Sequence, residues 1–406
     1  MATPAGDAYS CVSGGRISAG RHTMPLWRRN LPVRTWANEI GANTVSALDP
    51  KNDPAANPLY PLKPPWQYTT NGTATSGQTT IMDAWCGGAF GEDTGNFWVF
   101  GGGHTDYGGN EVYVANMYAD VPTWERINNP STDMAVSPTH YMLHNDGQTR
   151  TVHSYNNLFE KDGALYCTGG SIYDAGGGAV YVAHISRNDP VWRPDYLNSG
   201  DPYFLNSWGV SCYNPEDNAI YKSPAGGYAN CKRIDLTTGV VTQLFGMGNV
   251  GTTGYYSSHW NTKRNVMVFI PGWGLRVWSA ATNASFAWTL PAGPPVTGPA
   301  SSALVGTSGF CYDTVRDVYY LWGGGSDHGT VVKLTPPPVD QNPQTSEWTT
   351  EFMANIGTPP TFSISGAILP NAAKNGTYGR LFYSARLDAI GVVSRVTDKI
   401  SILPLS

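Results

Sequence analysis

The sequence predicts an all-β fold built from repeated four-stranded sheets, and three observations lead to that prediction. Charged residues make up only 14% of the 406 residues, while 47 glycines and 30 prolines provide many turn positions. Trp and Tyr are abundant, at 14 and 23 residues. Short apolar runs alternate with turns rich in Asp, Asn and Gly. Such a composition is typical of short β-strands and argues against a helical bundle or a disordered chain.

The charge distribution excludes several classes of function. The net charge is −5 and no basic stripe is present, so we expect no nucleic-acid binding, which needs clustered Lys and Arg to neutralise phosphates. No apolar run approaches the ~20 residues of a membrane span. The N-terminus lacks the basic start and apolar stretch of a secretory signal, and we expect a protein made in the cytoplasm. The six cysteines form no CxxC pair and are interpreted as small buried thiols.

Residues 1–78 are predicted to form an irregular N-terminal region that precedes the repeats. The first ~21 residues have the character of an arm, and residues 50–65 contain six prolines, which indicates a surface loop. Between them, the segment 32–40 contains Trp36 and resembles an outer strand of the later repeats. It could pair with the last sheet and close a ring, or belong to a partial seventh sheet.

Residues 79–406 are predicted to form the repeats themselves. One unit consists of an apolar strand, a turn with Asp, Asn or Gly, a second apolar strand, a Gly-rich loop, a third strand with Tyr or Val, and an outer strand, often with Trp. Six copies occur, at about residues 79–128, 153–196, 205–245, 253–291, 302–352 and 361–406.

A β-propeller explains this organisation. Each sheet buries both faces against neighbouring sheets, so its strands are apolar runs rather than clean alternations. Asp, Asn and Gly supply the tight turns, and paired glycines let backbones crowd near the central channel. Closure of the ring protects the sheet edges. The sequence therefore predicts an all-β propeller of four-stranded blades, with six blades, or seven if the N-terminal segment adds one.

The glycine, Tyr and Trp positions carry a resemblance to a known family. Gly101–Gly103 precede Tyr113 and Trp124, and the same order recurs in the second and fifth repeats, with Gly169, Gly170, Tyr181 and Trp192, and with Gly323–Gly325 and Trp348. This layout is similar to that of kelch and galactose-oxidase-type β-propellers. The resemblance implies four-stranded blades and says little about function.

A second resemblance covers most of the chain. The stretch from Met24 to Trp36, together with the loop around His104, resembles uncharacterised propeller proteins of tailed bacteriophages and prophages. This resemblance implies a virion protein of the tail or adsorption apparatus. Its partners would be other virion proteins or a cell-surface glycan, and it could form a homo-oligomer. Release by lysis would also explain the missing secretory signal.

The richest group of polar residues follows the first glycine cluster, in the loop between the second and third strands of the first repeat. It consists of His104, Asp106, Tyr107, Asn110 and Glu111. A His beside a Tyr and carboxylates can transfer protons, and a propeller-type polysaccharide lyase would use His104 and Tyr107 in this way. His104, Asp106, Tyr107 and Asn110 are therefore candidate binding residues, with His104 and Tyr107 catalytic in the lyase interpretation.

A structural interpretation of the same loop stays open. Asp174 and Asp327 occupy comparable loops in the second and fifth repeats. An Asp that recurs in this way favours a role in hydrogen bonding to the loop backbone. On that interpretation Asp106 supports the loop and does not contact a ligand.

Two further histidines lie in the connection after the first repeat. His140 and His144 have the i,i+4 spacing that would suit a metal on a helix, but no helix pattern surrounds them and no Glu stands between them as in HExxH. They are kept as candidate binding residues in a loop. The sequence predicts neither a metal nor another cofactor.

Two hypotheses follow for function. The first is a non-enzymatic binding or structural propeller, associated with a virion. The alternative is a polysaccharide lyase or other glycan-active enzyme that uses His104 and Tyr107. The ligand and the oligomeric state are not specified by the sequence, because propellers host many functions.

Overall fold

The computed structural model describes most of the chain. The described ranges are 23–53, 78–102, 107–131, 143–172, 182–195, 210–223, 232–244, 256–271, 274–279, 293–323, 330–354, 357–360 and 376–406. Within them the chain forms an all-β, six-bladed propeller, as the repeats predicted.

The first described elements pack on the propeller. A short helix, α1, spans Leu26–Arg29 and is followed by strand β1 at Ala37–Ile40. Two 3-10 turns cover Val45–Leu48 and Pro50–Asn52, and a second short helix, α2, spans Thr80–Asp83. The expected arm before residue 23 and the proline-rich loop from residue 54 lie outside the described residues.

Blades 1 to 3 follow in order, each a four-stranded antiparallel sheet with its strands in sequence order. Blade 1 contains β2 (Gly88–Phe90), β3 (Asn96–Val99), β4 (Tyr113–Asn116) and β5 (Trp124–Arg126). Blade 2 contains β7 (Leu158–Lys161), β8 (Ala164–Cys167), β10 (Val182–Ser186) and β11 (Arg193–Asp195). Two further short strands, β6 (Val152–His153) and β9 (Ser171–Ile172), pair with each other beside it. Blade 3 contains β12 (Val210–Asn214), β13 (Ala219–Ser223), β14 (Lys232–Asp235) and β15 (Val241–Gln243).

Blades 4 to 6 complete the ring. The three described strands of blade 4 are β16 (Tyr256–Asn261), β17 (Val266–Pro271) and β18 (Arg276–Trp278); the following residues 280–292, with Trp288, lie outside the described ranges. Blade 5 contains β20 (Gly309–Asp313), β21 (Val318–Trp322), β22 (Val332–Thr335) and β23 (Trp348–Phe352), with β19 (Val296–Thr297) added parallel to β23. Two 3-10 turns, Ser301–Ala303 and Tyr378–Arg380, precede blades 5 and 6. Blade 6 contains β24 (Leu381–Ser384), β25 (Ala389–Val392) and β26 (Ile400–Pro404).

The outer strand of blade 6 comes from the other end of the chain. β1 pairs antiparallel with β26, with Ala37 opposite Ile402 and Ile40 opposite Ile400. The first described strand and the last strand of the chain therefore share one sheet. The inner strands β2, β7, β12, β16, β20 and β24 contact one another in that circular order, so the ring of blades is closed.

The hydrophobic core is divided into layers between blades. Six clusters of buried side chains occur among the described residues, and each joins two neighbouring blades. In β3, Phe97 and Val99 point towards blade 6, whereas Trp98 packs against blade 2. Successive residues of a strand alternate between the two faces of a sheet, and here both faces are buried. This packing explains why the strands are continuous apolar runs.

The ring has two different faces. The described turns from first to second strand and from third to fourth strand lie on one side, which we call the hairpin face; in blade 1 these are residues 91–95 and 117–123. The described parts of the loops from second to third strand and of the connections between blades lie on the other side, which we call the loop face; in blade 1 these are residues 100–102, 107–112, 127–131 and 143–157. The described candidate residues, Tyr107, Asn110 and His144, lie on the loop face.

Candidate functional site

Three of the six candidate residues lie within the described part of the chain. Tyr107, Asn110 and His144 are described, whereas His104, Asp106 and His140 lie outside it. The geometry therefore concerns the second half of the predicted loop and its supports. All three described side chains are buried, with exposed fractions of 2%, 0% and 1%.

Tyr107 belongs to a buried chain of hydrogen bonds. Its phenol donates to Oε1 of Glu111, and Tyr113 donates to the same oxygen over 3.1 Å. The Gln78 amide donates to the Tyr113 hydroxyl over 2.8 Å and to the carbonyl of Val45 over 2.9 Å. This series of hydrogen bonds thus connects the loop of blade 1 to the segment after β1.

Burial controls the protonation of this group. Loss of solvation raises the pKa of Glu111 to about 7, although Tyr107 and Tyr113 lower it by donating hydrogen bonds. Burial and the nearby carboxylate raise the pKa of both tyrosines well above the ordinary value. Near neutral pH the Glu111 carboxyl can therefore exchange a proton, whereas Tyr107 stays a hydrogen-bond donor.

A glycine closes the space beside this pair. A β-carbon placed on Gly109 would lie 2.4 Å from both Oε2 of Glu111 and the Tyr107 hydroxyl oxygen. Oε2 is buried and has no hydrogen-bond partner among the described residues. The backbone of Gly109 packs directly on the two acidic groups, which leaves no room for a side chain there. The arrangement can hold a proton between Tyr107 and Glu111, but it encloses both groups within the protein.

Asn110 connects the loop to three other segments. Its amide donates to the carbonyl of Thr149 over 2.8 Å and its side-chain oxygen accepts from the backbone of Ser131 over 2.8 Å. Its own carbonyl accepts from the Asn128 amide and from the indole of Trp192 in blade 2, both over 3.1 Å. These bonds use the donor and acceptor groups of Asn110 for cohesion between blades.

His144 begins a short turn. Its backbone amide donates to the carbonyl of Gln148 over 2.8 Å and its carbonyl accepts from Gly147 over 2.9 Å. The sequence shows no helix pattern around His144, and the described part of this connection, residues 143–150, contains a turn and no helix. Within the described ranges, no three His, Cys, Asp or Glu side chains converge on a common point that could hold a metal ion.

A second buried polar cluster, between blades 2 and 3, was not found from the sequence. Lys222 in β13 is fully buried and donates to Oδ1 of Asn157 over 2.6 Å and to the carbonyl of Thr168 over 3.1 Å. Burial lowers the pKa of Lys222 to about 7, partly offset by nearby Cys167. Ser211 also donates to Asn157 Oδ1, over 3.2 Å. A lysine inside an otherwise apolar strand is the only sequence signal of this cluster.

A polar cleft on the hairpin face was also missed. It has a volume of about 580 Å³, and its walls include Asp93, Glu125, Arg187 and Arg386. Glu125 and Arg187 pair across blades 1 and 2 at 3.4 Å, and the Arg386 guanidinium lies 4.0 Å from the centre of the Tyr118 ring. The residues come from three blades, so no local motif could reveal them.

Comparison with known proteins assigns the chain to no family. No family model and no curated protein matches the chain. Among solved structures, it is similar to a structural-genomics protein of unknown function from Bacteroides thetaiotaomicron, with 11% identity, a TM-score of 0.45, and coverage of 90% of this chain and 74% of that one. It is also similar to the major Malassezia sympodialis allergen Mala s 1, with 10% identity, a TM-score of 0.40, and coverage of 67% and 79%. No helix in the described part is long and apolar enough to cross a membrane.

Proposed function

We propose that the chain is a non-enzymatic binding or structural propeller of a bacteriophage virion, in the tail or adsorption apparatus. Its partners would be other virion proteins or a cell-surface glycan. The observation that carries the non-enzymatic part is the burial of Tyr107 and Asn110 in hydrogen bonds that connect segments of the fold. Groups that act on a polysaccharide must reach it, and these groups face the interior. The virion part, like the kelch relationship, rests on the sequence resemblances.

The location is tested by purifying virions released from the source bacterium and identifying their proteins by mass spectrometry. We expect the chain in stoichiometric amounts in intact particles and in tails separated from heads. Absence of the chain from purified particles that retain infectivity would refute the virion assignment. Binding of the purified chain to a panel of surface glycans, compared with binding to tail proteins, then identifies the partner class.

The lyase alternative is tested on the same preparation. A lyase leaves a double bond in its product that absorbs in the ultraviolet, so uronate-containing polysaccharides are incubated with the chain and followed by absorbance. We expect no product. Product formation that disappears in His104→Ala and Tyr107→Phe, but is retained in the matched variant Tyr213→Phe on the hairpin face, would replace the binding proposal with the enzyme.

A further inference from the structure

The side chains of Lys222 and Asn157 meet inside the layer between blades 2 and 3. Asn157 directly precedes β7, and Lys222 lies in β13, 65 residues later in the sequence. Both side chains are completely buried. Nζ of Lys222 lies 2.6 Å from Oδ1 of Asn157. A lysine nitrogen therefore contacts the oxygen of a side-chain amide at a place that solvent does not reach.

Lys222 has no opposite charge beside it. Its hydrogen-bond acceptors among the described residues are Oδ1 of Asn157 and the carbonyl of Thr168, at 3.1 Å, and neither is a carboxylate. Burial of an ammonium group without a paired anion is costly, which is why burial lowers the pKa of Lys222 to about 7. A large fraction of the folded chains therefore holds Lys222 as a neutral amine near neutral pH, and the neutral amine is a nucleophile.

The amide of Asn157 is arranged to be attacked. Its oxygen accepts two hydrogen bonds, from Lys222 and from the Ser211 hydroxyl over 3.2 Å. Such donors stabilise the negative charge that develops on the oxygen when a nucleophile adds to the carbonyl carbon. The nitrogen Nδ2 is buried and has no hydrogen-bond partner among the described residues. An unpaired buried N–H group costs free energy, so the departure of this nitrogen removes an unfavourable group and breaks no hydrogen bond described for it.

We propose that Lys222 and Asn157 react with each other and form an isopeptide bond between blades 3 and 2. Nζ of Lys222 attacks Cγ of Asn157, a proton passes from Nζ to Nδ2, and the bond from Cγ to Nδ2 breaks. One carbon–nitrogen bond forms, another breaks, and one molecule of ammonia leaves, so the reaction requires no oxidant and no cofactor. Oδ1 keeps its donor Ser211, and the hydrogen that remains on Nζ keeps the Thr168 carbonyl as its acceptor.

The bond would change both the charge and the connectivity of the chain. An amide does not titrate near neutral pH, so the pH dependence that Lys222 confers as a free amine is confined to chains that have not reacted. The new bond closes a covalent loop between two residues 65 positions apart, which restricts the unfolded chain. The two residues meet only when blades 2 and 3 pack together, so the reaction follows folding.

The first test is intact-mass spectrometry of the full folded chain, held at mildly alkaline pH and sampled over time. We expect a mass below that of the sequence by one molecule of ammonia, either in all chains or in a fraction that grows with time. After digestion with trypsin, residues 151–161 should be joined to residues 188–232, because a linked Lys222 is no longer cleaved. Fragmentation of the joined peptide locates the bond.

Two results of this test would overturn the proposal. One is a mass that stays at the sequence value after prolonged incubation. The other is a loss of ammonia without the joined peptide, because an asparagine elsewhere in the chain also releases ammonia when it cyclises on its own backbone. Either result leaves the proposed virion role untouched.

Variants separate the reacting groups from their surroundings. Lys222→Met removes the nucleophile and Asn157→Leu removes the amide, and each should keep the full sequence mass. Ser211→Ala should form the bond more slowly, because Oδ1 loses one of its two donors. Lys232 lies directly opposite Lys222 on the neighbouring strand, and Lys232→Met should react like the wild type. Circular dichroism confirms folding of each variant, and a joined peptide that persists in Lys222→Met would show that another residue forms the bond.

Discussion

Glu111 illustrates how burial changes the chemistry that a side chain can perform. Its place in a polar loop groups it with His104 and Tyr107 as a proton-transfer residue, yet in the fold it lies fully buried beneath Gly109 and between two tyrosines. The residue types in the loop could be predicted to lie close together because they are adjacent in the sequence. Their burial could not, because it depends on Gln78 and on the segment after β1, which are distant in the chain.

The buried carboxyl of Glu111 makes stability depend on pH between mildly acidic and neutral values. Its pKa of about 7 in the folded protein exceeds the ordinary 4.5. Between pH 4.5 and about 7 the folded state therefore binds more protons than the unfolded chain, and the free energy of unfolding falls as the pH rises. We expect Glu111→Gln to reduce that fall, measured by urea unfolding at several pH values. Glu92 has a pKa raised by burial to about 7 as well, and its contribution remains in the variant. Glu216→Gln, at an exposed position, controls for loss of one negative charge; an identical effect of both variants would contradict the prediction.

Lys222 is expected to change the pH dependence of stability in the opposite direction, and at higher pH. Burial lowers its pKa from 10.5 to about 7, so the unfolded chain binds more protons between these values and stability rises with pH across that interval. The variant Lys222→Met removes this titration and should flatten the rise while increasing stability near pH 7. The measurement is urea unfolding from pH 7 to 10. The exposed Lys263→Met is the matched control, and a rise that persists unchanged in Lys222→Met would show that another group causes it.

At the scale of single elements, the hairpin turns were the most predictable feature. The turns after β12, β16 and β20 each begin with a polar residue whose side-chain oxygen accepts from the backbone two or three residues later, namely Asn214, Asn261 and Asp313. Each ends with an Asn or Asp at positive φ, at positions 218, 265 and 317. Asn and Asp tolerate this left-handed conformation better than other residues with side chains. A local rule of this kind is visible in the sequence because all participating atoms lie within five residues.

Asn265 gives a direct test of this rule. It is exposed and has a φ of 52°, so its side chain has little role in packing. Asn265→Ala should destabilise the protein by about 1 kcal/mol, because a left-handed alanine is strained, whereas Asn265→Gly should leave the free energy of unfolding nearly unchanged. Chemical unfolding of both variants measures the difference. Equal destabilisation by Ala and Gly would show that the amide group, not the backbone angle, is what matters there.

For the whole molecule, stability depends on the joint between the two ends of the chain. Ile40 of β1 is buried in a cluster that includes Phe97 of blade 1 and Phe382 of blade 6. Arg28 reinforces the same joint by donating to the carbonyls of Leu387 over 2.6 Å and Ser406 over 3.2 Å. Segments at opposite ends of the sequence therefore contribute to one layer of the core.

A charge at position 40 should weaken the ring at that joint. Ile40→Asp places an unpaired carboxylate in the apolar layer, which costs several kcal/mol, and we expect a lower midpoint of thermal unfolding in which blades 1 and 6 lose structure first. Hydrogen exchange followed by mass spectrometry identifies the blades. Glu39→Ala, on the exposed side of the same strand, is the matched control. Uniform loss of protection over all blades would indicate instead that the ring unfolds as a single unit.

The sequence by itself determined the fold class and the repeat, because strand patterns, turns and glycine clusters are encoded within about 40 to 50 neighbouring residues. It also placed polar residues of the chosen loop together. Only the tertiary structure decided that β1 completes blade 6 and adds no seventh blade, that Tyr107, Glu111 and Asn110 are enclosed, and that a lysine lies between blades 2 and 3. Those facts depend on contacts between blades, and residues far apart in the chain meet there only when the ring closes.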